Sequence, residues 1–204
     1  MSYSQNDEEK VIVEFFKDSP PGRFLDVGAY DGVQMSNTRR LLELGWSGVL
    51  VEPGAVNFQK LMLNCQPFIE RVTLINGAVA GNKRLANLYI DLTENREWSL
   101  TISRDLVDFG SVVKPSPLDV LIPTTTISEI EMCCGPFDFI SLDAEWEDMA
   151  ILKALPKDAM ACRLLCVETR NATERLEMKK LLEERRFKTI HETKENIIAA
   201  KTAL

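Results

Sequence analysis

Two short apolar runs, each followed by polar turn residues, constrain the fold of this chain most strongly. The first, Phe24–Val27, contains an acid and continues into a turn bracketed by Gly28 and Gly32. The second, Val49–Val51, ends at Glu52, about one strand–helix–strand unit later. This spacing predicts two neighbouring parallel strands whose carboxyl ends open onto one crevice. Open α/β sheets bind nucleotide-like ligands in such a crevice.

The turn after the first run distinguishes between two classes of cofactor. A dinucleotide-binding turn reads G-x-G-x-x-G and aims a helix N-terminus at a pyrophosphate, whereas this turn reads Gly28-Ala29-Tyr30-Asp31-Gly32. The carboxylate of Asp31 would repel a diphosphate but attract a sulfonium or an ammonium group. We therefore expect S-adenosylmethionine rather than NAD, with Glu52 reaching the ribose hydroxyls. Gly28 and Gly32 would let the backbone approach the ligand closely. A nicotinamide-dependent oxidoreductase stays as the alternative.

Length and composition predict one globular domain over residues 1–204, with a helical lead-in at residues 1–21. No apolar run approaches the roughly 20 residues needed to cross a bilayer, and the chain begins with polar and acidic residues, so we expect no membrane partner. The net charge of −7 argues against nucleic acid as a partner. The odd number of cysteines, five, favours a reducing cytoplasm. A homo-oligomer is compatible with these features.

Apolar runs typical of strands alternate with amphipathic stretches typical of helices along most of the chain. The clearest strand patterns lie at residues 49–52, 72–75, 137–142 and 164–167, with a closing hairpin predicted from residues 187–190 and 197–200. Right-handed crossovers turn this order into a twisted, mostly parallel α/β sheet with helices on both faces.

The periodicity fails between residues 93 and 117. A long irregular insert in a compact domain is typical of a lid, a binding loop or a mobile segment. The insert contains Trp98, Ser99 and Arg104, which we predict as substrate contacts if the insert forms a lid over the crevice.

With these motifs in place, the sequence resembles the FkbM family of S-adenosylmethionine-dependent methyltransferases from about Phe24 to Ile190. The resemblance rests on Asp26–Gly32 with Ser36-Asn37-Thr38, on Gly45-Trp46-Ser47-Gly48 ahead of Glu52-Pro53, on Phe58, Leu61 and Asn64, on Asn76-Gly77-Ala78-Val79, on Thr124–Ile127, on Phe137–Glu145 with Leu152, and on Val167-Glu168. It implies the Rossmann-like class I methyltransferase fold, with seven strands, and transfer of a methyl group to oxygen. Small molecules, most often sugars or glycans, are the implied acceptors.

A cofactor site follows from the same motifs. The predicted cofactor-binding residues are Asp26, Gly28, Ala29, Tyr30, Asp31, Gly32, Ser36, Asn37, Glu52, Pro53, Asn76, Gly77, Ala78 and Asp143. The turn residues are assigned to the methionine part of the cofactor, Glu52 to the ribose, and Asn76 and Gly77 to the adenine.

Three acids are candidates for the base that removes the proton of an acceptor hydroxyl. Asp143, Glu145 and Glu168 are all expected near the carboxyl ends of central strands. Crowded carboxylates raise one another's pKa and can become useful bases. The same three acids could instead bind a divalent cation, but we favour a metal-free base at Asp143 or Glu145.

One residue departs from the family pattern. The family usually continues its Asp-x-Glu motif with glycine, and here that position holds Trp146. An indole at this point is expected to reshape the substrate side of the crevice. It also supports a third hypothesis for the function, in which the chain is a binding module that holds the cofactor but has lost its acceptor site.

Overall fold

The computed structural model describes residues 2–82, 84–90, 100–102, 120–155 and 161–202. The strands are β1 (Arg23–Val27), β2 (Ser47–Glu52), β3 (Val72–Asn76), β4 (Ala78–Val79), β5 (Leu85–Asn87), β6 (Tyr89–Ile90), β7 (Leu100–Thr101), β8 (Leu121–Thr125), β9 (Phe139–Leu142), β10 (Leu164–Glu168), β11 (Phe187–Glu192) and β12 (Asn196–Lys201). The helices are α1 (Glu8–Phe16), α2 (Arg39–Glu43), α3 (Ala55–Cys65), α4 (Ile127–Cys134), α5 (Asp148–Ala154) and α6 (Ala172–Glu184), with a 3₁₀ turn at Gln66–Phe68.

Seven strands form the main sheet in the order β11-β12-β10-β9-β1-β2-β3. The pairs β1–β2, β1–β9, β2–β3 and β9–β10 are parallel, and β12 runs antiparallel to both β10 and β11. The predicted seven-stranded, mostly parallel sheet with a closing antiparallel hairpin is therefore confirmed. The chain reverses its direction of strand addition at β1, since β2 lies on one side and β9 on the other. Ligands bind at such a switch point in open α/β sheets.

The central strands are buried on both faces, and their side chains alternate between two apolar cores. Leu25 and Val49 face one core, where residues of α4, α5 and α6 pack. Phe24, Leu50 and Phe139 face the other core, where residues of α1, α2 and α3 pack. Near-continuous apolar runs are the sequence signature of strands covered on both sides.

The N-terminal helix is fastened to the C-terminal hairpin by a buried acid. Glu8 has no exposed surface, and its Oε1 accepts hydrogen bonds from Thr193 Oγ1 at 2.8 Å and Asn196 Nδ2 at 2.9 Å. Burial alone would raise the pKa of Glu8, but these bonds and those from Asn6 hold it below the usual value. The contact explains how a polar, acidic start can still belong to the folded domain.

The insert is only partly described. Two short strands, β5 and β6, lie within residues 85–90. β6 pairs with β7, and β5 and β4 flank β8 in a small separate sheet. Of the predicted insert, only residues 100–102 are described, and Trp98, Ser99 and Arg104 lie outside the described residues. In the part of the chain that the structure describes, no helix is both long enough and apolar enough to span a membrane.

Candidate active site

A pocket of about 390 Å³ opens at the carboxyl ends of β1, β2, β9 and β10. Parallel strands end at the same edge of a sheet, so the turns that follow these four strands meet there. The register aligns Val27 with Val51 on one side and Leu142 on the other. The two acids from which the sequence argument started, Asp26 and Glu52, both line this pocket.

Gly28 follows β1 and lies against the carboxyl ends of two neighbouring strands, β2 and β9. Its φ is +79°, and the N–H groups of Gly28 and Ala29 both donate to Val51 O at 3.0 Å. A Cβ at Gly28 would lie 1.9 Å from the carbonyl oxygen of Asp143. From the sequence, this glycine is expected to let the backbone approach a ligand closely. The structure shows that the backbone after β9 already requires a residue without a side chain here.

Glu52 is a buried carboxylate that backbone groups hold in place. Its Oε2 accepts from Tyr30 N at 3.0 Å, and its Oε1 accepts from Gly54 N at 2.8 Å. Tyr30 adopts a φ of +50°, which is unusual for a residue with a side chain. Burial raises the pKa of Glu52 to about 7, although the bonds from Gly54 and Tyr30 oppose the shift. A carboxylate oxygen accepts two hydrogen bonds, so Oε2 has capacity left for a ligand hydroxyl.

Other predicted residues form the wall between β1 and α2. Asp26 Oδ2 accepts from Thr38 Oγ1 at 2.6 Å, and burial raises the pKa of Asp26 to about 6. Ser36 Oγ accepts from Arg39 N at 3.0 Å, and Asn37 Nδ2 donates to Ser141 Oγ at 3.2 Å. The remaining predicted cofactor residues that line the pocket are Gly28, Ala29, Tyr30, Pro53, Gly77, Ala78 and Asp143.

Three predicted cofactor residues lie behind the pocket lining. Asp31 accepts hydrogen bonds from Val33 N at 2.9 Å and Gln34 N at 2.8 Å, which fold the turn. Asn76 Nδ2 donates to Glu52 O at 2.9 Å. The vacant side of Gly32 faces the core, because a Cβ there would lie 2.6 Å from Leu61 Cδ1. The geometry gives these residues a supporting role, and direct contact with a cofactor stays a prediction.

The opposite wall is acidic. Asp143, Glu145 and Glu168 all line the pocket, and Asp148 accepts from Ala144 N at 2.8 Å just behind them. Burial away from water raises the pKa of Asp143 well above that of a free carboxyl, and the charges of Glu145 and Asp148 raise it further. Burial raises the pKa of Glu168 to about 9, and the charges of Asp143 and Asp148 contribute to this rise. The structure therefore brings together all three predicted base candidates.

Trp146 lines the same wall in a strained turn. The φ angles of Glu145 and Trp146 are +42° and +81°, a region that costs about 1–3 kcal/mol for a residue other than glycine. A tryptophan thus adopts the backbone conformation that the family's usual glycine reaches without strain. The guanidinium carbon of Arg170 lies 3.7 Å from the centre of the indole ring, a cation–π contact that offsets part of this cost.

Several residues that line the pocket are not among the predicted site residues, and three of the polar ones are Arg170, Gln5 and Asn196. Arg170 follows β10, Gln5 precedes α1, and Asn196 begins β12. For Arg170 a signal was present, since Asn171 and Glu174 form an N-cap pattern and Glu174 lies four residues after the arginine. Asn196 lies opposite Glu168 in the pairing of β10 with β12, and Gln5 is brought to the pocket by the N-terminal segment, which Asn6, Asp7 and Glu8 bond to the hairpin.

The divalent-cation alternative gains no geometric support. Within the described ranges, no group of three or more His, Cys, Asp or Glu side chains is placed to hold a metal ion. The choice between a metal-free base and a metal site stays a prediction.

The profile of the methyltransferase FkbM domain matches residues 26–189, which is most of the chain. The chain belongs to the FkbM methyltransferase family. The match includes the glycine turn, Glu52, the acidic wall and Arg170. No curated protein matches the sequence significantly.

Solved structures share the fold of this FkbM family member. The methyltransferase FkbM of Methylobacillus flagellatus superposes with a TM-score of 0.59 at 15% identity, over 89% of this chain and 44% of that one. Magnesium protoporphyrin IX methyltransferase of Synechocystis, solved with bound S-adenosylmethionine, gives a TM-score of 0.54 at 12% identity, over 97% of this chain and 79% of that one. Identities this low show a common fold. The chain spans less than half of the FkbM structure that it matches.

We expect the ligand-free protein to lose stability as the pH rises from about 5 to about 9. The pKa values of Asp26, Glu52, Asp148 and Glu168 are raised to about 6, 7, 7 and 9. Free carboxyls have pKa values of about 4. The folded state therefore binds more protons than the unfolded state across this window, and stability falls with pH wherever that holds.

Thermal unfolding at a series of pH values checks this prediction. Glu168→Gln should flatten the upper part of the fall, above about pH 7, because Glu168 has the highest of the four pKa values. Glu192→Gln, at an exposed position on β11, is the control and should leave the profile unchanged. A Tm that rises steadily from pH 5 to pH 9 would contradict the predicted direction.

Proposed function

We propose that the chain transfers a methyl group from S-adenosylmethionine to a hydroxyl of a small molecule, most simply a sugar or glycan. The observation that carries the proposal is the pairing of two walls in one pocket. The glycine turn and the buried Glu52 form one wall, and the acids Asp143, Glu145 and Glu168 form the other. The first wall suits a nucleoside-containing cofactor and the second supplies proton acceptors.

The residues of the first wall fit the cofactor. Glu52 is held by two backbone N–H groups, and its Oε2 can accept a second hydrogen bond, from a ribose hydroxyl. Asp26 and Asp143 place carboxyls in the pocket, where they would attract a sulfonium or an ammonium group. The pocket volume of about 390 Å³ lies in the usual range for small-molecule sites. When bound, S-adenosylmethionine supplies a methyl carbon made electrophilic by its positively charged sulfur.

The second wall would prepare the acceptor. A neutral alcohol is a weak nucleophile, and a positioned base that takes its proton contributes roughly 10²–10⁴-fold to a rate. Asp143 and Glu145 are our candidates for this base. The pKa of Asp143 is raised by burial and by the charge of Glu145, so its ionised form is more basic than a carboxylate in water. Alignment of the acceptor oxygen within the pocket contributes further, because it removes the entropic cost of bringing the reactants together.

A cytoplasmic location is part of this proposal. The five cysteines are all free, and Cys162 and Cys166 are buried in the core. Free buried thiols are compatible with a reducing compartment.

Formation of S-adenosylhomocysteine in the presence of a panel of acceptors tests the proposed function. The panel would contain neutral sugars, sugar acids, amines and phenols, and mass spectrometry would locate the added methyl group. We expect product with at least one hydroxyl acceptor and methylation on oxygen. Methylation of nitrogen, or turnover only with amines, would contradict the assignment to a hydroxyl.

A second candidate is a binding module that keeps the cofactor but catalyses no transfer. The strained Trp146 in the position of the family's usual glycine is the observation that favours it. Tight binding of S-adenosylhomocysteine with no turnover over the whole panel would support this candidate. Turnover with any acceptor would remove it.

A further inference from the structure

Arg170 is held by two neighbouring side chains, Glu174 and Trp146, at the edge of the pocket. Its Nε donates to Glu174 Oε2 at 2.9 Å, and its Nη2 donates to Glu174 Oε1. Its guanidinium carbon lies 3.7 Å from the centre of the Trp146 ring. Glu174 is itself fixed, because its backbone N–H donates to the N-cap residue Asn171 at 2.9 Å. The orientation of this arginine is therefore set before any ligand binds.

One nitrogen of Arg170 has no partner. Nη1 is buried and makes no hydrogen bond with any of the described residues. An unsatisfied buried donor costs about 1–3 kcal/mol, and native proteins usually avoid it. Arg170 lines the pocket and 23% of its side-chain surface is exposed, so an acceptor group bound there could contact the exposed part of the guanidinium.

The charges around Arg170 leave its guanidinium available. Glu174 neutralises it through Nε and Nη2 only. The neighbouring Glu168 has a pKa raised to about 9, so it is mostly protonated and uncharged at neutral pH. An anion on the acceptor would therefore meet Arg170 without competing with an ionised Glu168.

The number of donors indicates which anion fits. Arg170 is the sole Arg, Lys or His among the described residues that line the pocket. Phosphate sites usually combine several donors with more positive charge, whereas one guanidinium nitrogen suffices for a carboxylate oxygen. The indole of Trp146 beside it offers an apolar face for the ring that carries the carboxylate.

We propose that Arg170 selects acceptors that carry a carboxylate, and that Trp146 and Arg170 together form the acceptor subsite. The acceptor class would be hydroxylated ring carboxylates, such as sugar acids. This inference rests on the proposed function, since it names the substrate class of the same pocket. Arg170 would contact the carboxylate through the exposed part of its guanidinium, and the hydroxyl of the acceptor would lie on the side of Asp143 and Glu145.

Matched ligand pairs test the inference in two stages. Calorimetry with S-adenosylhomocysteine comes first, and failure of the folded protein to bind it would count against the proposed function itself. The protein saturated with S-adenosylhomocysteine is then titrated with glucuronate and glucose, and with galacturonate and galactose. These pairs differ in the carboxylate. We expect at least one sugar acid to bind about 10-fold or more tightly than its neutral partner, because a charge-assisted hydrogen bond contributes about 1.5–3 kcal/mol.

Two variants with the same loss of charge locate the effect. Arg170→Gln should reduce the ratio of affinities to about one and leave the affinity for S-adenosylhomocysteine within about twofold. Lys179→Gln, on α6 at a position whose side chain pairs with Glu192, should leave the ratio unchanged. Arg170→Lys should restore only part of the preference, since a lysine keeps the charge but lacks the stacked, forked geometry.

The wild-type ratio tests the inference even if Arg170→Gln does not fold. Equal binding of acid and neutral sugar, or binding of neither while S-adenosylhomocysteine binds, would overturn it. A preference for the acid that survives in folded Arg170→Gln would also overturn it, because a purely structural role for the Glu174 pair would change Tm and leave the preference in place.

Discussion

Asp143→Asn should lower kcat by a factor of about 10²–10⁴ and leave the affinity for S-adenosylhomocysteine within several-fold. The amide keeps the shape of the side chain but cannot accept a proton at neutral pH, and this range is what a positioned base contributes. Asp143 lines the pocket, its pKa is raised by the surrounding protein and by Glu145 and Asp148, and it follows β9 at the carboxyl edge of the sheet. Initial rates with an acceptor identified by the panel, together with calorimetry, provide the two readouts.

The pH dependence of the rate gives a second, independent check on Asp143. A base works in its ionised form, so the wild-type rate should rise with pH through a pKa well above that of a free carboxyl. Asp143 is one of the charges that raise the pKa of Glu168. Asp143→Asn should therefore also lower the pKa of Glu168.

Three further variants assign the roles of the acids. Glu145→Gln and Glu168→Gln, measured beside Asp143→Asn, show which carboxyl carries the largest share of the rate. Asp7→Asn makes the same chemical change at an exposed residue that pairs with His191 and should leave kcat unchanged. Activity of Asp143→Asn within twofold of wild type would rule out Asp143 as the base.

Gly28→Ala should destabilise the fold by about 3–5 kcal/mol. A Cβ at this position would lie 1.9 Å from Asp143 O, so β1 and β9 would have to separate at their carboxyl ends. The φ of +79° adds a backbone cost of about 1–3 kcal/mol for any residue with a side chain, and overpacking costs about as much again. For a domain of this size the expected fall in Tm is about 6–20 °C.

Gly45→Ala separates the backbone cost from the clash. Gly45 also has a positive φ, +95°, but the nearest atom to an added Cβ is Pro21 Cγ at 3.5 Å, an ordinary contact. Urea unfolding of both variants should show Gly28→Ala to be less stable than Gly45→Ala by about 1–3 kcal/mol. Equal stability of the two variants would mean that the close approach of Asp143 to Gly28 does not constrain this site.

The sequence was sufficient to predict the sheet and the first wall of the pocket. Apolar runs such as Phe24–Val27 and Val49–Val51 report burial on both faces, and the spacing from Asp26 to Glu52 reports one crossover. These signals are local and repeat along the chain. Asp31 shows the limit of such local signals. Its charge is visible in the sequence and predicts a cofactor contact, but its hydrogen bonds to Val33 N and Gln34 N exist only in the folded turn.

The acceptor side could be predicted less fully because it depends on contacts between distant segments. Trp146 was noticed as a departure from the family pattern, but its partner Arg170 comes from the end of another strand. Gln5 lines the pocket because the N-terminal segment is bonded to the C-terminal hairpin, for example by Glu8 to Thr193 and Asn196. Neither a hydrophobic periodicity nor a short motif encodes contacts between residues so far apart in the sequence. Only the assembled sheet brings these residues to one edge.

Calorimetric titration of the purified chain with S-adenosylhomocysteine tests the assignment of the pocket most directly. We expect one site with a Kd on the order of micromolar, and a loss of affinity of about 10-fold or more in Glu52→Gln, which weakens the charge-assisted bonds to the ribose hydroxyls. Glu192→Gln is the matched control and should bind like wild type. A 10-fold gain with magnesium chloride would support the cation alternative at Asp143, Glu145 and Glu168. Absence of binding to the folded wild-type protein would contradict both the cofactor site and the proposed methyl transfer.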